Sequence, residues 1–148
     1  MNKTATLDSI QKARAAHETQ MQKIAALLNG EKVDNPTAVI KTECAFGKWL
    51  YAEDSNLQKV LGALFYSNIE TIHARWHSEY IRLFNIFFAN TKKKSFFSKL
   101  LGTPKVDGMD IDKAELYYSE LQITTKELLK VLDICERRVQ ALNDSKFT

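Results

Sequence analysis

Helix breakers are scarce in this sequence, with two prolines and five glycines in 148 residues. That scarcity excludes a turn-rich β-sandwich and favours long helices. Cysteine is scarcer still: Cys44 and Cys135 are too few and too far apart for a disulfide framework. No apolar run approaches the roughly 18 residues that a membrane span needs. The opening MNKTATLDSIQKAR has no apolar stretch of the secretory kind, so the expected location is cytoplasmic. Neither sign of charge is in large excess. Lys and Arg number 21 against 18 Asp and Glu, and the net charge of +3 is too small to imply a nucleic-acid partner. What is present is 45% hydrophobic residues, enough for a real core, in a chain of one domain's length.

Apolar periodicity organises that content into helices. Ile10, Ala13, His17, Met21, Ile24 and Leu28 recur at spacings of three and four, which predicts a helix over 4–29 stopped at Asn29-Gly30. A loop over 31–36 leads to Pro36, a residue suited to the first turn of a helix, and 37–51 reads as helical with an interruption at Gly47. Asp54-Ser55-Asn56 is a turn and cap, followed by a short helical turn over 57–62. A strongly apolar helix is expected over 63–90, carrying Ile69, Ile72 or His73, Trp76 or His77, Tyr80, Phe84, Phe87 and Phe88. Gly102, Pro104 and Gly108 punctuate a break over 91–110. The last helix, 112–143, bears Leu121, Leu128, Val131, Leu132, Cys135, Val139 and Leu142. The predicted fold is all-α: an antiparallel four-helix-type bundle with additional short helices, its fourth side made by 37–60. The final helix would be about 48 Å long at 1.5 Å per residue. A small bundle cannot cover that length, so its end projects or a second chain covers it.

All three histidines fall on inward faces. His73 and His77 form H-x-x-x-H, one helical turn apart on one side, a spacing at which two imidazoles reach one metal ion. His17 lies on the apolar stripe of the first helix. A single histidine on such a stripe is commonly a hydrogen-bonded core residue, and H-x-x-x-H recurs by chance on many helices. Cys135, on the stripe of the last helix, reads as a small buried hydrophobe. Concurrence raises the metal reading, because Cys44 sits in the motif Cys44-Ala45-Phe46-Gly47-Lys48-Trp49-Leu50 between the histidines.

At that motif the sequence resembles the chemoreceptor zinc-binding (CZB) domain, a bacterial regulatory module. The shared pattern is His17, then Cys44-x-Phe46-Gly47-x-Trp49, then His73-x-x-x-His77, over about residues 13–80. The resemblance implies one Zn2+ held by His17, Cys44, His73 and His77 in a helical bundle, commonly a homodimer. It also implies zinc or thiol-oxidant sensing on behalf of a chemoreceptor, cyclase or kinase component. The chemistry of the set agrees: three imidazoles and a thiolate suit tetrahedral zinc, while magnesium and calcium want oxygen ligands. Four protein ligands leave no position for an activated water, so no enzyme is expected. A zinc-stapled structural scaffold is the alternative role. Glu70, one turn before His73, and Glu43, beside Cys44, are candidate partners for ligand N–H groups and equally compatible with solvent-facing positions. Trp49 and Trp76 read as packing around the site, Trp76 as a shield against water.

This organisation divides the chain into a zinc-binding helical region over 1–90, a basic linker over 91–110 and a long helix over 111–148 that completes the bundle or dimer, one domain overall. No receptor or cyclase sequence follows, so a separate partner or the last helix must read any signal. In the linker, Lys92, Lys93, Lys94, Lys99 and Lys105 interleave with Phe96, Phe97, Leu100 and Leu101. A solvated lysine run followed by a short helix folded onto the bundle is the favoured reading there, with contact to an anionic membrane surface through 92–101, or docking of an acidic partner, as the alternative. No Gly-rich phosphate loop, Ser-His-Asp set or paired catalytic carboxylates can be assembled.

Overall fold

The computed structural model describes residues 2–34, 36–89 and 108–147. Among them every regular element is helical: α1 (Lys3–Leu28), α2 (Ala45–Leu50), α3 (Leu57–Leu61), α4 (Ala63–Phe84) and α5 (Gly108–Ala141), with short 3-10 turns at Glu53–Ser55 and Asp144–Phe147 and a π turn at Asn85–Ala89. No helix among the described residues is long and apolar enough to cross a membrane. Residues 91–107 of the predicted linker, with the lysine run, lie outside the described residues, and 108–110 belong to α5 rather than to a linker.

Helix α1 starts where expected, because the Asn2 side chain caps it by accepting from the Ala5 N–H at 2.8 Å. It ends at Asn29, and Gly30 takes the left-handed φ of +79° that reverses the chain. The last helix begins at Gly108, a few residues before its predicted start.

Helix α5 is the centre of the packing and lies against both α1 and α4. Arg14 pairs with Asp133 and Glu136, and Lys3 donates to the Leu142 carbonyl, so α1 runs antiparallel to α5. Arg75 with Glu127, and Arg82 with Glu120, set the same antiparallel sense for α4. Helices α1 and α4 are therefore parallel to each other, and the fourth side is the short α2–α3 segment. Between the long helices lie Ile10, Ile24, Ile69, Tyr80, Leu121, Leu128 and Leu132, all essentially without solvent contact. Burying each such side chain contributes roughly 1.5–3 kcal/mol.

Two expectations need correction. The inward face of α1 includes Thr6 and Gln20 as buried polar residues, whereas Met21 is only partly buried. More consequentially, the helix expected over 37–51 shrinks to Ala45–Leu50, and Pro36 opens no helix. The cause is competition for backbone groups. Thr37 N–H donates to Gln20 Oε1 at 3.0 Å, its carbonyl accepts from Tyr80 OH at 3.1 Å, and the Val39 carbonyl accepts from His77 at 2.8 Å. Side chains of α1 and α4 thus satisfy the backbone that a helix ladder would have used.

Candidate metal centre

His17 comes from the middle of α1, while His73 and His77 come from one face of α4. All three are buried, and one ring nitrogen from each lies within 4.8 Å of the others. The backbone fixes the orientation of two of them. His17 Nδ1–H donates to the Ala13 carbonyl at 2.7 Å, and His77 Nδ1–H donates to the Val39 carbonyl at 2.8 Å. A carbonyl only accepts, so Nδ1 carries the proton and Nε2 presents a bare lone pair in each neutral ring. His77 Nε2 stands 3.1 Å from His73 Nε2. His73 Nδ1 is buried without a hydrogen-bond partner.

Burial holds all three imidazoles neutral. It lowers His17 to about 4, against the opposing pull of the Ala13 carbonyl, and His73 to about 2, helped by the neighbouring His77 and His17. His77 is lowered for the same reason. Three neutral imidazoles with converging ring nitrogens are ready ligands for a cation.

Cys44 lies beside the group, against His73. Its Sγ lies 3.3 Å from His73 Nε2, accepts from the Gly47 N–H at 3.1 Å and donates to the Lys41 carbonyl at 3.5 Å. As N-cap of α2 it occupies the positive end of a short helix. Burial pushes the thiol up, while the Gly47 and Phe46 amides act in the opposite direction. Zn–N bonds of about 2.0–2.1 Å place tetrahedral nitrogens roughly 3.3 Å apart, so the His73–His77 spacing is that of two ligands on one ion. The donor set fits zinc.

Residues 17–84 match the family model described as the chemoreceptor zinc-binding domain, a span that opens on His17 and encloses Cys44, His73 and His77. The chain carries a chemoreceptor zinc-binding domain. The family name implies zinc, and the buried histidine cluster is where this zinc-binding domain would hold it. No curated protein and no solved structure matches the chain.

The walls of the site are aromatic. Phe46 stands 4.9 Å from the His73 ring and Trp76 4.8 Å from the His17 ring, centre to centre. Trp76 is wholly buried and anchors to α5 through Nε1–H to Thr125 Oγ1 at 2.9 Å. A cavity of ≈ 210 Å³ bounded by Ala16, His17, Ala38, Cys44 and Phe46 adjoins the cluster. A larger open cleft beside α2 and α3, lined by Tyr51, Glu53, Lys59 and Tyr66, contains none of the four residues.

The two acidic candidates separate. Glu43 is exposed, whereas Glu70 accepts from Lys41 Nζ at 2.6 Å and from Tyr51 OH at 3.1 Å. The Lys41 hydrogen bond holds the Glu70 carboxyl below its ordinary range. Cys135 is buried far along α5, and burial raises its thiol to about 11. Sequence reasoning missed the support from Gln20, Tyr80, Lys41 and Tyr51. Gln20 left one signal, a polar residue three positions after His17 on the inward face.

Gly47 explains its place in the motif. A Cβ there would lie 1.6 Å from the Lys41 carbonyl oxygen, because the chain before Cys44 packs directly on α2. Gly47→Ala is expected to force 41–44 away from the histidines and to cost about 3 kcal/mol. Urea unfolding with a zinc titration measures both effects. Unchanged stability and unchanged affinity would refute this close packing.

Proposed function

We propose that this chain is a zinc-binding regulatory module in which His17, Cys44, His73 and His77 hold one Zn2+. In this reading it passes zinc or thiol-oxidant signals to a signalling partner. The observation that carries the reading is the convergence of three buried neutral imidazoles, with the Cys44 sulfur against one of them, His73. Four protein ligands fill a tetrahedron, which suits sensing and not hydrolysis. Bound zinc supplies the positive charge that keeps a coordinated cysteine a thiolate, the form that oxidants attack. The cavity bordered by Cys44 has room for small oxidants and chelators.

A structural staple is the second reading, supported by the way the site joins α1, the 37–44 segment and α4. The bundle contacts favour the sensor. Helices α1 and α4 each pack on α5, which carries none of the four residues, so the long helices have contacts of their own that do not run through a metal. Protein purified without added metal is expected to contain about one zinc per chain. Chelation is expected to leave most of the far-ultraviolet helical signal while the near-ultraviolet aromatic signal changes. Collapse of the helical signal on chelation would favour the staple. Zinc well below half an equivalent in folded protein would overturn both.

The partner expected first is a second copy of the chain. Leu116, Ile123 and Ile134 lie exposed along one side of α5, at 58%, 62% and 41% of their full area, and a helix so studded suits a helical neighbour. A chemoreceptor, cyclase or kinase component is the further partner, read through α5. Sedimentation of the zinc-loaded chain should give a dimer.

A further inference from the structure

The segment that delivers Cys44 has no regular structure before Ala45, so its position depends on side chains that fasten it. Glu70 fastens it twice. Lys41, three residues before Cys44, and Tyr51, which ends α2, both bind the same Glu70 oxygen, at 2.6 and 3.1 Å. Lys41 Nζ also sits 5.2 Å above the Tyr51 ring, so the three side chains form one closed knot. The Lys41 carbonyl receives the Cys44 thiol and packs on Gly47. Glu70 itself stands one turn before His73 on α4.

We propose that Glu70 is a positioning residue that holds the Cys44 sulfur at the histidine cluster, by tying both ends of the Cys44 turn to the helix that carries His73 and His77. The inference rests on the four-ligand reading above and adds to it the residue that keeps the sulfur in place. Lys41 and Glu70 are about a third exposed, so their ion pair contributes little to global stability. Its effect falls on ligand geometry, where outer partners change metal affinity by roughly 10–100-fold.

The test uses the full chain loaded with cobalt(II), whose thiolate-to-cobalt charge-transfer band reports sulfur coordination directly. Wild type should show the band, and Cys44→Ala should lack it. Glu70→Ala is expected to weaken the band and to lower cobalt affinity at least about 10-fold, with an unchanged far-ultraviolet spectrum. A purely structural role would lower the melting temperature and leave the band in place. Should Glu70→Ala lose its helical signal, Lys41→Met and Tyr51→Phe each remove one arm and are expected to weaken the band in folded protein. Wild-type band and affinity in folded Glu70→Ala, or in both single-arm variants, would overturn the inference. Absence of the band from wild type would overturn the four-ligand reading itself, and this inference with it.

Discussion

Replacing His73 with Leu is expected to cut zinc affinity by roughly 10²–10³-fold and to leave the metal-free protein about as stable as wild type. His73 Nε2 is the meeting point of the site, 3.1 Å from His77 Nε2 and 3.3 Å from Cys44 Sγ. Structural zinc sites gain about 10–16 kcal/mol from four ligands, so losing one removes about 3–4 kcal/mol. The stability side runs the other way. Folding without metal buries a neutral imidazole whose Nδ1 has no partner, and an unpaired buried polar group costs about 1–3 kcal/mol. Leu loses some packing but removes that orphan, and the two effects offset each other. Chelator competition measures the affinity, and thermal melts of stripped protein measure the stability. Wild-type affinity in His73→Leu would remove His73 from the ligand set.

Metal-free protein is expected to lose about 4 kcal/mol of stability between pH 7 and pH 5. His17 and His73 are lowered from 6.5 to about 4 and about 2 by burial, and His77 is lowered as well. Between 6.5 and those lowered values the unfolded chain binds protons that the folded site refuses. Stability is therefore complete above pH 6.5 and falls as pH falls, by up to about 1.4 kcal/mol per pH unit for each histidine. Acid also strips zinc, because protons compete for the same nitrogens, so loaded protein should show a steeper loss beginning at similar pH. Urea midpoints of stripped protein across this range provide the measurement, with His17→Gln expected to flatten the slope by about one histidine's share. A flat profile from pH 7 to pH 5 would mean that the three imidazoles are not buried neutral.

Much of the architecture was legible because it is periodic. Spacings of three and four marked α1, α4 and α5 to within a few residues, since an apolar stripe on a long helix has one way to leave water. The three histidines advertised themselves as polar residues at core positions, and burial of all three bears out that reading of their faces. The segment 37–44 was not legible. Its composition permits a helix, and what prevents one is distant in sequence: Gln20, Tyr80 and His77 take backbone groups of Thr37 and Val39. Local propensity is worth tenths of a kcal/mol per residue, and buried hydrogen bonds of about 1 kcal/mol each outweigh it.

The same division runs through the metal centre. The sequence alone determined which residue types are present, their order and the face each histidine occupies, because helical phase is a local property. Only the tertiary structure decided that one ring nitrogen from each histidine converges, that backbone carbonyls of Ala13 and Val39 hold two of the rings, and that Glu70 ties down the Cys44 turn. Those are contacts between segments with no fixed relation along the chain. They exist only once α5 has brought α1 and α4 together, because burial by distant neighbours is what makes each of those rings neutral and each of those bonds strong.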